Sequence, residues 1–250
     1  MKKNIIITGS SKGLGLLIAI ELQKMGAKIL INGRSKSKLK QLKKKYNFFD
    51  YYAGDLSKEK NAKKCAIYAI KKMKGIDVLI CNAGKSKSCS PNKENKKEWE
   101  KMFDANFYTT SNMIESTKKN LIKNKGKIIC ISSICGHEFI KGAPITYSAA
   151  KAALNFYVKS LSQYLSKDIC INILSPGNLL FPNSVWDKKL KNDKDETKKL
   201  IKKIPLKRLM YVDDLIGCIE FLLSSKSKFI TGHNFIIDGG QTISDRKSVV

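Results

Sequence analysis

Hydrophobic positions in this chain fall into two kinds of segment that alternate from one end to the other. Short apolar runs, bounded by Gly, Asn, Asp or Ser, are followed by longer stretches in which apolar residues recur at helical spacing. This alternation is typical of βαβ units, in which a helix connects two parallel strands. The pattern therefore predicts an α/β protein built on a parallel sheet.

The apolar runs predict seven strands and the periodic stretches predict six helices. We expect the strands at residues 4–8, 28–32, 49–53, 78–81, 127–132, 169–174 and 234–237. We expect the helices at residues 13–25, 37–46, 58–74, 98–123, 147–166 and 212–223. No repeat or low-complexity linker divides the sequence, so residues 1–250 are predicted to form one doubly wound domain around a seven-stranded parallel sheet. Residues 178–204 follow the carboxyl end of a strand, where such sheets bind ligands, and are interpreted as a charged, helical substrate lid.

A glycine-rich turn joins the first predicted strand to the first predicted helix. Glycines permit a tight turn and the close approach of a pyrophosphate, and a helix amino end offers unpaired N–H groups and a positive dipole. In this position the turn indicates the dinucleotide-binding site of a Rossmann fold. The expected contacts are Gly9, Ser11, Lys12, Gly13, Leu14 and Gly15.

The end of the second predicted strand bears on which dinucleotide is bound. An acidic residue there would hydrogen-bond a free ribose 2′-hydroxyl and would repel a 2′-phosphate. The sequence reads Asn32-Gly33-Arg34, without an acid, and Lys12 lies in the glycine turn. Two cations without a carboxylate suit a phosphate, so NADP(H) is favoured over NAD(H). The alternative is that Arg34 is an ordinary surface residue.

Tyr147 and Lys151 are four residues apart and would share one face of a predicted helix. An ammonium close to a phenol favours the phenolate and lowers its pKa, which would make the tyrosine a usable acid and base. The spacing has little weight by itself, because a chain with 45 lysines also contains Tyr68 and Lys72 at the same spacing. Position separates the pairs: Tyr68 lies far from other candidates, whereas Tyr147 follows a strand that ends in two serines.

The charge balance is strongly basic. The chain has 48 Lys and Arg residues against 21 Asp and Glu residues, a formal net charge of +27. Such a surplus attracts any polyanion, including nucleic acid, anionic membranes and acidic small molecules. Only three of the basic residues are arginine, however, and proteins that read phosphates and base edges favour the arginine fork. We therefore interpret most of the surplus as a solvated lysine surface and expect no nucleic-acid partner.

The use of cysteine and histidine argues against a metal site and against a disulfide framework. The seven cysteines include no CxxC pair, and with two histidines no zinc-like cluster arises at the usual spacing. Several cysteines lie in apolar runs and are interpreted as small buried hydrophobes in a reducing cytosol. No apolar run reaches the roughly 18 residues that span a bilayer, and no signal-peptide pattern precedes the first strand. The sequence predicts a soluble, cytoplasmic protein without a resident metal.

An ordered set of short motifs along the whole chain resembles the short-chain dehydrogenase/reductase family. Each motif is common alone, whereas the ordered set is specific. After the glycine turn its members are Asp55, Asn82-Ala83-Gly84, Asn106, Ser132-Ser133, Tyr147-Ser148-Ala149-Ala150-Lys151, Pro176-Gly177 and Asp238-Gly239-Gly240.

The resemblance implies an NADP(H)-dependent oxidoreductase that interconverts a ketone and a secondary alcohol. Tyr147 would exchange a proton with the substrate oxygen, and Lys151 would lower the pKa of that phenol and hold the nicotinamide ribose. Ser133 would hydrogen-bond the substrate carbonyl, and Asn106 would position a water in a proton relay. The remaining expected cofactor contacts are Asp55 and Leu56 at the adenine, Asn82 at the adjoining ribose with Ala83 and Gly84 in the same motif, and Pro176, Gly177 and Leu179 at the nicotinamide.

Two departures from the family pattern bear on these assignments. Cys81 stands where the family often has a second asparagine, which we interpret as a tolerated change. Ser133 precedes Tyr147 by 14 positions, where the commonest family spacing is 13, and this leaves Ser132 as a rival for the catalytic serine. His137, in the loop that contains the extra residue, is either a substrate contact or a polar loop residue.

The sequence resembles two branches of the family that act on different classes of substrate. The loop 133–144 and the stretch 176–186 resemble members associated with bacterial surface-polysaccharide and flagellar sugar biosynthesis, which implies a sugar phosphate or nucleotide sugar and is the branch we favour. The overall pattern, including Ile230-Thr231-Gly232, is also similar to 3-oxoacyl carrier-protein reductases, whose acidic carrier would suit a basic rim.

Two further expectations concern assembly and a rival class of function. The resemblance implies a homotetramer that is assembled through the predicted helices 98–123 and 147–166. The rival class is a catalytically idle protein that senses a cofactor or binds nucleic acid. Such a protein would have no need of the ordered set of Asn106, Ser133, Tyr147 and Lys151.

Overall fold

The computed structural model describes residues 2–165 and 169–244, and its centre is a seven-stranded sheet. The strands are β1 (Asn4–Ile7), β2 (Lys28–Gly33), β3 (Asp50–Ala53), β4 (Val78–Cys81), β5 (Lys127–Ile131), β6 (Cys170–Pro176) and β7 (Asn234–Ile237). All neighbours are parallel, in the order β3-β2-β1-β4-β5-β6-β7. The strand order reverses direction between β1 and β4, as in a doubly wound sheet. The predicted single-domain α/β fold is confirmed.

Helices cover both faces of this sheet. They are α1 (Gly13–Lys24), α2 (Lys36–Tyr46), α3 (Glu59–Met73), α4 (Lys96–Phe103), α5 (Thr109–Lys123), α6 (Ile145–Tyr164), α7 (Val185–Asn192), α8 (Lys194–Lys203), α9 (Val212–Leu223) and α10 (Gln241–Ser244).

The sheet separates two hydrophobic cores, because successive residues of a strand point to opposite faces. In β1, Ile5 and Ile7 pack in the core beneath α1, α2 and α9, whereas Ile6 packs in the core beneath α3, α5 and α6. All three isoleucines are fully buried. A parallel sheet that is covered on both faces needs apolar residues at every strand position, which explains the continuous apolar runs in the sequence.

The predicted boundaries coincide with the observed ones or differ from them by one or two residues. β6 extends to Pro176, two residues beyond its predicted end, because it continues to pair with β7 there. α6 begins at Ile145, two residues before its predicted start. Its predicted last residue, Ser166, lies outside the described residues.

The helix predicted over 98–123 is present, but it is not a regular α-helix along its whole length. α4 begins at Lys96, and a π-helical turn at Asp104–Tyr108 separates it from α5. Asn106 lies fully buried in that turn, and its Nδ2 donates to the carbonyl oxygens of Met102 and Lys85, both at 3.0 Å. A side chain that binds helix carbonyls favours a local widening of the helix, and such turns are frequent at functional sites.

The segment 178–204 contains two short surface helices. It starts with an isolated bridge between Leu179 and Met210 and continues into α7 and α8. Each helix begins at a side-chain cap, Ser184 for α7 and Asp193 for α8. α7 buries none of its residues and α8 buries Thr197. The predicted helical character is confirmed, and the role as a lid stays a prediction.

The prediction that several cysteines are small buried residues is confirmed for three of them. All seven thiols are free; Cys65, Cys81 and Cys130 are buried, and the other four are partly buried. In residues 2–165 and 169–244 no group of three or more His, Cys, Asp and Glu side chains could hold a metal ion. None of the described helices is both long and apolar enough to cross a membrane.

Candidate active site

The glycine turn between β1 and α1 has the backbone that its sequence predicts. Gly9 and Gly13 have φ angles of +63° and +58°, in the left-handed region that favours glycine. A Cβ on Gly9 would lie 2.6 Å from the Cα of Ala83, so the turn packs directly against the loop after β4. Two of the predicted cofactor contacts therefore meet at the carboxyl edge of the sheet.

The amino end of α1 is suited to an anionic group. Its N-cap residue, Lys12, has an extended backbone and makes no side-chain cap hydrogen bond, so no cap side chain accepts from the first N–H groups of the helix. Lys12 is exposed, whereas Gly15 is buried and Leu14 packs against the core. This arrangement fits a dinucleotide pyrophosphate.

Arg34 lies exposed just beyond β2, next to the same turn. A Cβ on Gly33 would lie 2.7 Å from the Oγ of Ser11, so the end of β2 contacts the turn. Desolvation and Lys101 lower the pKa of Lys85, and the charge of Arg34 adds to that lowering, whereas Glu98 opposes it. The cationic surroundings fit a ribose 2′-phosphate.

Polar side chains without a predicted role hold the glycine turn. Oδ1 of Asn32 accepts from the N–H of Gly9 at 3.2 Å, and its Nδ2 donates to the carbonyl of Tyr52 at 3.1 Å. The hydroxyl of Ser10 donates to the carbonyl of Ile7 at 2.6 Å and accepts from the N–H of Asn32 at 2.9 Å. The signal that could have revealed this support is an asparagine inside an otherwise apolar strand.

Asn82 also supports the turn, besides its predicted contact with a ribose. Its Nδ2 donates to the carbonyl of Thr8 at 3.1 Å and to that of Gly9 at 3.3 Å. A Cβ on Gly15 would collide with this Nδ2, so α1 approaches Asn82 only because position 15 is glycine. The contact with a ribose stays a prediction.

Asp55 and Leu56 follow β3 at the same edge. Oδ1 of Asp55 accepts from the N–H of Ser57 at 3.0 Å. The side chain of Leu56 is buried in the core, and its carbonyl accepts from Nδ2 of Asn112 at 3.2 Å. A contact of Leu56 with an adenine would therefore have to be made by the other backbone atoms of this residue.

Tyr147 lies in the first turn of α6 and interacts with the hydroxyl of Ser133. Ser133 follows β5, and its Oγ accepts from the N–H of Cys135 at 3.2 Å. Ser132 is buried, and its Oγ has no hydrogen-bond partner among the described residues. The structure thus brings Ser133 to the tyrosine, despite the spacing of 14 positions.

Lys151 lies one turn beyond Tyr147 on the same face of α6. Its Nζ donates to the carbonyl of Ile131 at 2.9 Å and lies 6.0 Å from the centre of the tyrosine ring. Gly84 lies between this lysine and Asn106. A Cβ on the glycine would lie 2.8 Å from Oδ1 of Asn106 and 3.5 Å from Nζ of Lys151. All four predicted catalytic residues lie around one region at the carboxyl ends of β4 and β5.

Burial has the largest effect on the pKa values of Tyr147 and Lys151. It lowers the pKa of Lys151 to about 8. It also raises the pKa of Tyr147 above its usual range, an effect that the hydrogen bond with Ser133 opposes. Nζ of Lys151 donates to the carbonyl of Ile131 in this structure, and the expected lowering of the phenol pKa by Lys151 stays a prediction.

The motifs after β6 and β7 pack on each other. A Cβ on Gly177 would lie 2.8 Å from the Cα of Asp238, and Oδ1 of Asp238 accepts from the N–H of Gly240 at 2.9 Å. Pro176 is the last residue of β6, and Leu179 is buried on the way to α7. These contacts place the predicted nicotinamide wall between the end of the sheet and the lid segment.

Three further residues near the site were missed by the sequence analysis. The ring of Phe181 lies 3.5 Å from the position of a Cβ on Gly13, at the amino end of α1. Ser88 and Thr146 share a hydrogen bond of 2.8 Å beside Tyr147. These residue types are common in loops and helix starts, and their contacts join distant segments, so the sequence carries no signal for them.

Known proteins resemble this chain in sequence and in fold. The family model described as enoyl-(acyl carrier protein) reductase matches residues 9–242. Glucose 1-dehydrogenase of Gluconobacter oxydans (strain 621H) is 32% identical over 252 residues, which covers 96% of this chain and 92% of the relative. The 3-oxoacyl-(acyl-carrier-protein) reductase of Rickettsia prowazekii (strain Madrid E) is 34% identical over 244 residues, which covers 95% of this chain and 96% of the relative.

A solved structure extends the similarity to the whole fold. L-Sorbose reductase from Gluconobacter frateurii, complexed with NADPH and L-sorbose, matches with a TM-score of 0.84 and 26% identity over 96% of this chain and 97% of that chain. Sequence relatives, matched structure and site geometry lead to the same conclusion: the chain belongs to the short-chain dehydrogenase/reductase family, oxidoreductases that act on alcohol and ketone groups.

Proposed function

We propose that the protein is an NADP(H)-dependent oxidoreductase that interconverts a ketone and a secondary alcohol on a sugar phosphate or nucleotide sugar. The observation that carries the reaction is the convergence of the four predicted catalytic residues beside the glycine turn. The observation that supports NADP(H) is the pair of exposed cations, Lys12 and Arg34, with no acidic residue at the end of β2.

The proton step belongs to Tyr147 and Ser133. A nicotinamide bound at this site would supply or accept the hydride at the substrate carbon. Ser133 hydrogen-bonds the substrate oxygen, and the hydroxyl of Tyr147 donates a proton to that oxygen in reduction and accepts it in oxidation. A phenol whose pKa is raised by burial is protonated at neutral pH and is therefore ready to act as the acid in reduction.

Lys151 and Asn106 would support the proton transfer of Tyr147 without contacting the substrate oxygen. Lys151, whose pKa is about 8, changes protonation near neutrality and would bind the nicotinamide ribose through Nζ. Asn106 is fixed by hydrogen bonds to the backbone of Lys85 and would hold a water between the lysine and solvent. The pair would return the proton that Tyr147 has given up.

The cofactor preference is tested by Arg34→Asp. We expect the affinity for NADPH to fall about ten- to a hundredfold, because a charge-assisted hydrogen bond to a phosphate is lost and a repulsive carboxylate is gained, while the affinity for NADH falls less. Titration of cofactor binding measures both. Lys44→Asp, the same charge change at an exposed position of α2, is the control and should leave the preference intact. An unchanged preference in Arg34→Asp would refute the 2′-phosphate role.

The sugar branch is supported by what the similar proteins act on. One relative is a glucose 1-dehydrogenase, and one matched structure is an L-sorbose reductase complexed with L-sorbose. A formal net charge of +27 would in addition favour a phosphorylated sugar over a neutral one.

A second candidate is the reduction of a 3-oxoacyl thioester on a carrier protein. A groove of about 690 Å³ lies between His137 and the segment 236–243, and exposed apolar side chains line it, among them Leu206, Ile236 and Ile243. An apolar groove close to the Ser133 loop would accommodate an acyl chain. The 34% identical relative with this activity adds support.

An NADPH-consumption screen separates the branches. It would compare keto-sugar phosphates and nucleotide sugars with acetoacetyl thioesters. Turnover of the sugar class alone is the expected result, and turnover of the thioesters alone would replace it with the second candidate. No turnover with any carbonyl, together with DNA binding that has a steep salt dependence, would instead favour an idle, nucleic-acid-binding protein.

Assembly, location and the lid are part of the same proposal. Exposed Ile145 and Phe156 on α6 and Tyr108 before α5 support a homotetramer that buries these helices. A monomeric mass in light scattering would contradict it. We propose that α7 and α8 close over the substrate and that the enzyme works in the cytoplasm.

A further inference from the structure

The helix turn that carries Tyr147 has no cap of its own. The N-cap residue of α6, Pro144, makes no side-chain cap hydrogen bond. Thr146, which directly precedes the tyrosine, is fully buried, and its Oγ1 lies 2.8 Å from Oγ of Ser88. A helix end without a cap tends to fray. The contact between Thr146 and Ser88 therefore stabilises a first turn that has no side-chain cap.

The hydrogen bond between Thr146 and Ser88 continues to a carboxylate. Oγ of Ser88 lies 3.1 Å from Oε2 of Glu98, and Oε1 of Glu98 accepts from Nζ of Lys101 at 2.5 Å. An ionised carboxylate only accepts, so Ser88 donates to Glu98 and accepts from Thr146. The hydrogen bond with Lys101 lowers the pKa of Glu98, which keeps the carboxylate ionised at neutral pH.

The loop that holds Ser88 is itself tied to the site. It follows the Asn82-Ala83-Gly84 motif, and the N–H of Lys85 donates to Oδ1 of Asn106 at 3.1 Å. The carbonyl of Lys85 accepts from Nδ2 of the same asparagine at 3.0 Å. One loop therefore holds Asn106 at its start and the turn of Tyr147 through Ser88.

We propose that Thr146, Ser88 and Glu98 form a positioning chain that sets the hydroxyl of Tyr147 against the substrate oxygen. The inference rests on the proposed function, since it concerns how that reaction is aligned. None of the three residues is placed at the reacting atoms; they act through the backbone of the first turn of α6. A misplacement of about 1 Å can reduce turnover about a hundredfold, so the loss of this partly buried hydrogen bond is expected to lower turnover.

The first test removes one hydroxyl at nearly constant volume. In Thr146→Val we expect kcat to fall about ten- to a hundredfold, with KM and the dissociation constant of NADPH within about twofold of the wild type. Thr146→Ser keeps the donor and should restore most of the loss. Thr117→Val is the matched control, because the buried Thr117 donates only within α5, to the carbonyl of Met113 at 2.7 Å. It should leave kcat unchanged.

The second test asks whether the residues act as one chain. Ser88→Ala alone should lower kcat, and Ser88→Ala combined with Thr146→Val should lower it no further, because both changes break the same connection. Multiplicative effects would mean that the two residues act independently and would overturn the proposal. A kcat for Thr146→Val within twofold of wild type in a folded protein would also overturn it.

Hydrogen exchange supplies a readout that needs no substrate. Amides 145–151 should exchange faster in Thr146→Val than in wild type and Thr117→Val, with unchanged exchange in the central strands. If the wild type turns over no carbonyl, the proposed function fails, and exchange alone then decides whether the chain holds the turn. Unchanged exchange at 145–151 would overturn the inference in either case.

Discussion

Two Tyr-x-x-x-Lys pairs lie on different helices of the same face of the sheet, and their geometry within the helix is almost the same. In α3, Nζ of Lys72 lies 5.8 Å from the ring centre of Tyr68. In α6, Nζ of Lys151 lies 6.0 Å from the ring centre of Tyr147. The helical spacing therefore fixes the distance between ring and ammonium in both pairs, and this distance does not distinguish the pair in the site from the other.

The surroundings of the hydroxyl differ. The hydroxyl of Tyr68 donates to Oδ2 of Asp50 at 2.6 Å, and burial together with this bond raises the pKa of Tyr68 to about 12. The hydroxyl of Tyr147 faces Ser133 instead. A tyrosine bound to a carboxylate has its proton engaged within the protein, whereas one beside a serine at the sheet edge can give it to a substrate.

The lysines differ as well. Lys72 is exposed, whereas Lys151 is buried, has a pKa of about 8 and donates to the carbonyl of Ile131. Desolvation thus makes one ammonium responsive near neutrality and leaves the other a surface charge. The comparison teaches that the environment of the pair, and not its spacing, carries the chemistry.

Among the lysine substitutions, the largest effect is expected for Lys151→Met. We predict that turnover falls about 10²- to 10³-fold, because the ammonium that supports the proton step is lost. The melting temperature at pH 7 should change little, since relief of a buried charge offsets the lost hydrogen bond to Ile131. Steady-state kinetics and thermal unfolding measure the two quantities. Turnover near the wild-type value would show that the two lysines are equivalent.

The pH dependence of stability gives the next effect. Between pH 8 and the unfolded lysine pKa of about 10.4, the unfolded chain binds a proton at Lys151 that the folded chain does not. The free energy of unfolding of the wild type relative to Lys151→Met should therefore rise by about 1 to 2 kcal/mol from pH 7 to pH 9.5. Urea unfolding at both pH values tests this.

A smaller effect on stability is expected at the other pair. Tyr68→Phe should lower the free energy of unfolding by about 1 kcal/mol and leave turnover intact. The loss is modest because Asp50 keeps Nζ of Lys43 at 3.0 Å and the N–H of Tyr51 at 2.9 Å. Burial alone would raise the pKa of Asp50, but its hydrogen bonds to Tyr68, Lys43 and Tyr51 lower it. The loss should therefore be present at neutral pH and vanish as the pH falls through that lowered value.

The smallest effect is expected for Lys72→Met. Its side chain is exposed, so stability should change by less than about 0.5 kcal/mol and turnover should not change. Chemical unfolding with an activity assay is sufficient to check this. A large loss of turnover would assign α3 a role in the site that its position does not suggest.

The fold was largely predictable from the sequence because its determinants are local. The continuous apolar runs of β1 and β4 reflect burial on both faces, and the left-handed Gly9 and Gly13 mark the turn. The π-helical turn at Asp104–Tyr108 was not predictable, since the hydrogen bonds of Asn106 in that turn include one to the distant carbonyl of Lys85 besides the local one to Met102.

The site was predictable as a set of residues and not as an arrangement. The motifs named Ser133 and Tyr147, but only the structure shows their contact across a loop with one extra residue. The support by Asn32 and the tie from Thr146 to Ser88 depend on side chains of distant segments that meet in three dimensions. No periodicity or spacing in one chain records such contacts.

The most direct test of the central claim is a paired measurement of kcat and NADPH binding in Tyr147→Phe and Tyr68→Phe. We predict that Tyr147→Phe loses about 10³-fold or more in kcat while its NADPH dissociation constant stays within about threefold of wild type. Tyr68→Phe should keep both values. Retained turnover in Tyr147→Phe, or an equal loss in Tyr68→Phe, would contradict the account.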